Sequence, residues 1–191
     1  MRIAVLGWGS LVWDPTGSYG AILQIAPGAR WSASGPMLPV EFARISKDGR
    51  LTLVVLPEYE HRCQVLWITS GHQDVQEAIG NLAAREGIHA SFMCRSIHGV
   101  LATGETLGNV LDQVADPVQE WMSDTPALDA AIWTGLGAGK RWQKHGYDGF
   151  TVTNALDYLN GLEGEVSRLN AEYLRKTPPS IDTPVRQLAP L

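Results

Sequence analysis

The sequence "VLGWGSLVWDP", residues Val5–Pro15, passes from an apolar segment into a loop that carries two glycines, a serine and two tryptophans. The residues just before this loop, "RIAVLG", are rich in β-branched and apolar side chains and stop at Gly7. This pattern predicts a buried β-strand that enters a turn. The start of the chain therefore places a glycine-containing loop at the end of a core strand.

Two interpretations of this loop remain open. A glycine at position 9 lets backbone N–H groups approach a ligand closely, and such donors can hold a carboxylate or a developing oxyanion. In that case Ser10 would add a hydroxyl donor, and Trp8 or Trp13 would shield the pocket from water. In the other interpretation, Gly7 and Gly9 only shape a tight turn while the tryptophans fill the core.

Composition limits the class of protein. The 191 residues, 45% hydrophobic and 18% charged, predict one globular domain over residues 1–191. The net charge of −5, with scattered Lys and Arg, argues against nucleic acid as a partner. We expect no membrane span and no signal peptide, and hence a cytoplasmic protein; a homodimer remains possible. Cys63, Cys94 and the five histidines lack ligand spacing, so we expect buried thiols, no disulfide framework and no metal.

Three further segments are typical of strands: "PVEFARIS", "RLTLVVLP" and "QVLWITS". The Asp-Gly pair within Lys47–Gly49 predicts a hairpin turn between the first two. We expect an antiparallel meander with the first strand beside the hairpin strands. The next segment, "SGHQDVQEAIGNLAAREGI", changes to helical spacing, and its helix should end at Gly87, beside Glu86.

The second half of the chain is less regular. "AAIWTGL" is typical of a strand, and residues 151–175 are typical of helices interrupted near Gly161 and Gly164. The tail from Thr177, with four prolines, should lie extended over the surface. Residues 91–129 carry no clear pattern. Without repeated βαβ units, we predict an α+β fold with a mixed, curved or barrel-like sheet and helices packed outside it.

Two glycine-rich segments superficially suggest nucleotide binding. After the first strand, Gly7 and Gly9 begin a GxGxxG pattern, but Val12 occupies its third glycine position. The segment "GLGAGK", Gly135–Lys140, has the wrong glycine spacing for a phosphate loop and no Ser or Thr after the lysine. A flexible loop explains it better, and we expect no cofactor.

The order of four segments carries a family resemblance. The loop "GWGSL" is followed by the hairpin "SGPMLPVEFARISKDGRLTLVVLP" with the strand "QVLWITS", and then by the helix end "LAAREGI". This arrangement resembles the gamma-glutamylcyclotransferase-like superfamily, which includes the AIG2-like proteins. In that family a strand ends in a Tyr-Gly-Ser-Asn-type loop, and a later helix carries the catalytic glutamate just before a glycine. The resemblance covers residues 3–88, whereas "AAIWTGL" and the last helix fit the family's closing elements loosely.

The resemblance implies a site and a reaction. It places Trp8, Gly9, Ser10 and Leu11 on the substrate-binding loop and makes Glu86 the catalytic acid/base. Trp8 stands where the family usually has tyrosine and Leu11 where it has asparagine, which removes a hydroxyl and an amide that could contact a polar substrate. The implied reaction is cyclisation of a γ-glutamyl or related amine to 5-oxoproline with release of the amine, without metal or cofactor.

The sequence also allows less specific roles. Taken alone, Glu86 is more simply interpreted as a solvated helix residue that pairs with Arg85 or with a neighbouring helix residue. The family's downstream aromatic residue corresponds to Phe92, to Trp133 or to no residue of this chain. The alternative to an enzyme is a non-catalytic small-molecule-binding or interaction protein on the same fold.

One strand carries two charged residues, Glu41 and Arg44. If the strand alternates, their side chains face opposite sides and do not pair directly. An outward-facing structural role is the simpler interpretation, because charges within an apolar strand must be solvated or paired. The sharper hypothesis is that Arg44 binds a substrate carboxylate.

Overall fold

The first strand, β1 (Ile3–Gly7), lies at the heart of a mixed sheet in the computed structural model, which describes residues 1–125 and 127–189. Both edges of β1 are hydrogen-bonded, on one side to an antiparallel strand and on the other to a parallel one. The five strands, in sheet order, are β6 (Leu66–Thr69), β1, β9 (Ala130–Thr134), β7 (Ile97–Leu101) and β8 (Thr106–Leu107).

The predicted hairpin is present, but it lies elsewhere than expected. The strands β3 (Val40–Ile45) and β4 (Leu51–Val55) pair antiparallel around the predicted turn, where Gly49 has a φ of 81°. They form a separate two-stranded sheet, so the expected meander with β1 beside the hairpin is wrong. Because β6 and β9 occupy both edges of β1, the hairpin packs against one face of the sheet instead. A second small sheet joins β2 (Met37–Leu38) and β5 (Cys63–Gln64).

The architecture agrees with the predicted α+β class and mixed sheet. It is not the barrel that the sequence also allowed, because the described strands form one open five-stranded sheet and two pairs. Alternation along β1 sends Ala4 and Leu6 into one core and Ile3 and Val5 into the other. Each face of the sheet therefore supports its own hydrophobic core.

The helix α1 (Val75–Arg85) covers the second core and has clear start and stop signals. The Asp74 side chain accepts hydrogen bonds from two backbone N–H groups of the first turn, a typical N-cap. After Glu86 at the C-cap, Gly87 adopts a φ of 65°, which is the left-handed conformation that ends many helices. The predicted end of this helix is confirmed.

The remaining helices follow in the second half of the chain. The segment 91–129, which carried no clear pattern, supplies two helices and the strands β7 and β8. The predicted interruption between residues 160 and 164 is confirmed. No helix within the described ranges has the length and apolar character that crossing a membrane requires. The helices are α2 (Met93–Ser96), α3 (Asp112–Asp124), α4 (Val152–Asn160), α5 (Gly164–Lys176) and α6 (Pro184–Leu188).

The tail after Thr177 differs from the extended surface segment that its prolines indicate. It contains α6, and Ile181 and Val185 are fully buried in the core. Pro184 stands at the first position of α6, where a missing N–H is tolerated, and the Thr183 side chain caps that helix. The two thiols also differ from each other, since Cys63 is buried and Cys94 is exposed.

The buried carboxylate of Glu41 holds this tail on the hairpin. Glu41 is 0% exposed, so the expected outward-facing role is wrong for this residue. Its oxygens accept hydrogen bonds from the Phe42 N–H at 2.7 Å, the Tyr59 hydroxyl at 3.1 Å and the Val185 N–H at 3.3 Å. A register shift between Phe42 and Arg44 also breaks the alternation on which the expectation depended.

We predict that Glu41 makes stability depend on pH. Burial raises the pKa of Glu41 above its ordinary value of 4.5, against the opposing effect of its hydrogen-bond donors. The folded state therefore holds this proton more tightly than the unfolded state, and the stabilisation is lost as the pH rises from 4.5 through the raised pKa. Glu41→Gln has no such proton. As the pH rises, the free energy of unfolding of the wild type should therefore decline relative to that of the variant.

Denaturant unfolding of both proteins between about pH 4 and about pH 8 measures this difference. Glu105→Gln is the control, since Glu105 is exposed and lies in the turn before β8. A constant difference between wild type and Glu41→Gln across this range would contradict the prediction.

Candidate functional site

The loop after β1 directs the side chains of Trp8 and Leu11 away from solvent. Trp8 is buried, and its indole N–H donates to the Leu53 carbonyl at 3.3 Å. Leu11, within a single 3₁₀ turn at Ser10–Val12, is buried in the second core. The backbone of the loop and the Ser10 side chain therefore face away from the core, while the buried side chains of Trp8 and Leu11 fix the loop to it.

Gly9 allows a very close approach by Tyr173 of α5. A Cβ atom at position 9 would lie 2.2 Å from the Tyr173 hydroxyl oxygen, a distance that no real pair of these atoms tolerates. The Tyr173 ring is buried and packs edge-on against Trp13, with 5.2 Å between ring centroids. Gly9 is thus required by close packing, since its φ of −117° is accessible to any residue.

Tyr173 remains a neutral phenol at physiological pH. Burial raises the pKa of Tyr173 to about 12; hydrogen bonds with the backbone of Ser10 and Leu53 oppose the rise, and the charge of Glu86 adds to it. A neutral phenol is both a hydrogen-bond donor and an acceptor. The hydroxyl therefore provides a proton that can be donated to a ligand oxygen near the loop.

Arg85 connects the loop to the end of α1. Its buried guanidinium contacts the Glu86 carboxylate and the Asp14 carbonyl oxygen, and it lies 3.5 Å from the Ser10 hydroxyl. Its Nε has no hydrogen-bond partner among the described residues. The pairing of Glu86 with Arg85, which the sequence allowed as a structural role, is therefore present.

A cleft of about 770 Å³ opens between the loop, the hairpin and the end of α1. The Glu86 side chain is 20% exposed and lines this cleft, together with Ser10 and Tyr173. Glu86 therefore does not point into open solvent. Other parts of the wall come from the β3–β4 hairpin, from the last residue of β9 and from the segment that follows it, namely Arg44, Ser46, Lys47, Asp48, Arg50, Thr52, Leu53, Val54, Thr134, Leu136 and Arg141.

The structure brings together some of the residues predicted from the sequence. Ser10, Arg44 and Glu86 share the cleft, whereas Trp8 and Leu11 contribute to the loop through backbone and packing. The role of these five residues and of Gly9 in substrate binding or catalysis stays a prediction.

Tyr173 is an aromatic residue beside the loop that sequence reasoning missed. Phe92, 55% exposed, and Trp133, fully buried, do not line the cleft. Tyr173 lies in "LNAEYLR", where a tyrosine at helical spacing is typical of an ordinary core position. The only available signal was that a buried tyrosine hydroxyl needs a partner, and that partner is remote in sequence.

Within residues 1–125 and 127–189, no group of three or more His, Cys, Asp or Glu side chains could hold a metal ion. Comparison with known proteins found no family model, no curated protein and no solved structure that matches this chain. The resemblance to the gamma-glutamylcyclotransferase-like superfamily therefore remains a prediction based on its quoted segments.

We predict that Gly9→Ala destabilises the protein by about 1–3 kcal/mol, because the new methyl group overlaps the Tyr173 hydroxyl. The double variant Gly9→Ala/Tyr173→Phe should recover part of this loss, since the next atom of the ring lies 3.4 Å from the new Cβ. Thermal unfolding of the three proteins measures the effect.

Gly80→Ala is the matched control, because a Cβ at this position in α1 meets no atom within 4 Å. It should stabilise the helix by roughly 0.5–1 kcal/mol. If Gly9→Ala is as stable as the wild type, the close approach to Tyr173 does not constrain the loop.

Proposed function

We propose that this protein is a gamma-glutamylcyclotransferase-like enzyme that converts a γ-glutamyl or related amine into 5-oxoproline and releases the amine. One observation carries the proposal: Glu86 at the end of α1 and Ser10 of the loop line the same cleft. Arg85 contacts both side chains, although it lies 75 residues after Ser10. A carboxylate beside a glycine-containing loop is the combination that this reaction requires.

The first role in the proposed mechanism belongs to Glu86. The free oxygen of its carboxylate takes a proton from the α-ammonium group of the substrate. The resulting amine attacks the γ-carbonyl carbon of the same molecule, and a five-membered ring closes. Glu86 then returns the proton to the nitrogen of the departing amine as the C–N bond breaks. The ring nitrogen loses its second proton, which leaves with the amine, so that 5-oxoproline and a protonated amine are the products. A single carboxylate thus acts first as base and then as acid.

The second role is stabilisation of the negative oxygen that forms during ring closure. The Ser10 hydroxyl and the neutral hydroxyl of Tyr173 are donors that line the cleft, and the backbone N–H groups of Gly9 and Leu11 belong to the same loop. Donors held in place before the reaction stabilise a developing charge without having to reorganise. The packing of Tyr173 beneath Gly9 fixes one of these donors.

The alternative function is binding without catalysis. One oxygen of Glu86 is engaged by Arg85, which favours a structural use of that carboxylate. Trp8 and Leu11 also lack the polar groups that the family usually has at these positions. A measurement of turnover therefore distinguishes the two functions better than a measurement of binding does.

We predict that Glu86→Gln lowers turnover by roughly 10²–10⁴-fold, because the variant lacks the proton acceptor but keeps its shape. The assay follows 5-oxoproline release from a panel of γ-glutamyl amines. We also expect a loss of stability of about 1–3 kcal/mol, since Arg85 is buried and loses a charged partner. Activity is therefore compared below the melting temperature of the variant.

Glu77→Gln is the control for this experiment. Glu77 lies on the same helix, its side chain is 67% exposed, and it is outside the cleft. It should retain wild-type turnover. Undiminished product formation by Glu86→Gln would exclude the proposed mechanism, and the lack of any turnover by the wild type across the panel would favour the binding protein.

A further inference from the structure

The imidazole ring of His98 is packed between two glycines. His98 lies on β7 directly opposite Trp133 of β9, and the two rings meet edge to face with 6.4 Å between their centroids. A Cβ at Gly135 would lie 2.3 Å from Cε1 of the ring, and a Cβ at Gly108 would lie 2.9 Å from Cδ2. Any larger residue at either position would therefore collide with the ring.

One nitrogen of this ring has no hydrogen-bond partner. The ring bonds to the Arg95 backbone, but Nε2 of His98 is shielded from solvent and meets no donor or acceptor among the residues that the structure describes. In the neutral ring one nitrogen is an unprotonated acceptor, whereas in the protonated ring both nitrogens are donors. A protonated ring would therefore bury a charge and an N–H without a partner, which is strongly unfavourable. The site fits the neutral imidazole and not the imidazolium.

The elements around His98 supply no counter-charge. Burial lowers the pKa of His98 below its ordinary value of 6.5, and the hydrogen bond with the Arg95 backbone opposes this change only in part. The strands β8 and β9 carry no ionisable side chain, and α1 contacts β7 on the opposite face, where Ile97 lies. The other neighbouring elements carry ionisable groups that do not contribute to this pKa, namely Cys94, Arg95, Glu105, Asp112, Asp116, Glu120, Asp124, Lys140 and Arg141.

Gly135, which contacts the ring, is the first residue after β9. Its N–H donates to the Ser96 carbonyl at 2.8 Å, and this bond extends the pairing of β7 with β9 by one residue. The chain then continues through residues 135–141, which we call the 135–141 segment. The ring of His98 therefore supports the point at which this segment leaves the sheet.

The 135–141 segment continues from this point into the wall of the cleft. The Gly137 carbonyl accepts a hydrogen bond from Nη1 of Arg44 at 2.9 Å, and a Cβ at Gly139 would lie 2.8 Å from the same nitrogen. Leu136 and Arg141 of the segment line the cleft directly. A movement of the segment at its first residue would therefore change the wall of the cleft.

We propose that His98 is an acid-sensitive switch for the 135–141 segment. The neutral ring lets Gly135 pack against it and keeps the Gly135 N–H on the Ser96 carbonyl. Protonation places an N–H and a charge beside Gly135, where no acceptor is available, so the segment moves away until water reaches the ring. Because the segment holds Arg44, the same movement loosens the wall of the cleft. The switch does not depend on which reaction the cleft performs.

The direction of the pH effect follows from the burial of the ring. In the open form water surrounds His98, and its pKa returns towards 6.5. The open form therefore binds more protons than the closed form, and its population increases as the pH falls from 6.5 through the lowered pKa. Between about pH 7 and about pH 5 we expect the equilibrium constant for opening to increase by about two- to twentyfold.

Amide hydrogen exchange at Gly135 measures this opening in the full-length protein. Its protection factor, corrected for the intrinsic exchange rate at each pH, should fall by this amount between about pH 7 and about pH 5, whereas the protection of the β1 amides should not fall.

His98→Phe keeps a flat ring but has no ionisable nitrogen, so the protection of Gly135 should not depend on pH in this variant. His145→Gln is the matched control, because His145 is exposed and follows the 135–141 segment closely in sequence. This control should show the wild-type pH dependence.

Gly135→Ala tests the packing without a change of pH. The new methyl group overlaps the ring of His98, so the amide at position 135 should lose protection by about tenfold or more at about pH 7. Gly137→Ala is the control, because a Cβ at this position of the same segment meets no atom within 4 Å. These two variants and the wild-type pH series decide the question even if His98→Phe does not fold.

Three results would overturn the switch. They are a wild-type protection factor at Gly135 that is the same at both pH values, an equal pH dependence in His98→Phe, and an equal loss of protection in Gly135→Ala and Gly137→Ala. Since none of these measurements uses turnover, the switch and the cyclotransferase proposal can fail independently of each other.

Discussion

The cleft depends on the contacts that the buried guanidinium of Arg85 makes. A cation that is removed from water needs acceptors around it, and those available come from two distant parts of the chain. The Asp14 carbonyl fixes the loop that follows β1, and the Glu86 carboxylate lies next in sequence, at the end of α1. Since Arg85 is in the last turn of that helix, the partial negative charge of the helix end also favours its position. The same contacts therefore stabilise the fold and orient the carboxylate.

The sheet brings the other parts of the site within reach. With β6 and β9 on its two edges, β1 has no free edge for the hairpin, which packs on one face together with α4, α5 and α6. This packing brings the hairpin turn and Tyr173 into the wall of the same cleft. The segment after β9 begins beside β1, and its Gly137 carbonyl accepts a hydrogen bond from Arg44. Every wall of the cleft is thus attached to a strand or helix that contacts a buried core.

Local sequence signals predicted the parts of the fold that depend on neighbouring residues. The Asp-Gly turn, the glycine after α1 and the break between α4 and α5 are examples, because each is determined within a few residues. The strand β7, with its histidine and glycine, gives no such signal, although it lies inside the sheet. The same limit applies to the site. Glu86 and Ser10 could be proposed from motifs, whereas Tyr173 and the proximity of Arg44 to Arg141 result from tertiary packing and leave no pattern in the sequence.

The buried carboxylate of Glu41 has a consequence for how the chain folds during synthesis. Its partner Val185 comes 144 residues later, and β9, the parallel neighbour of β1, lies more than 120 residues after that strand. When β3 and β4 leave the ribosome, neither contact exists, and an ionised group among apolar side chains is strongly disfavoured. Until Val185 has been made, the hairpin lacks the tail that covers Glu41, although the Phe42 N–H and the Tyr59 hydroxyl can already donate to that carboxylate. Contacts of such long sequence separation make folding slow, so the nascent chain exposes its apolar strands for most of its synthesis and offers a substrate to chaperones throughout that period.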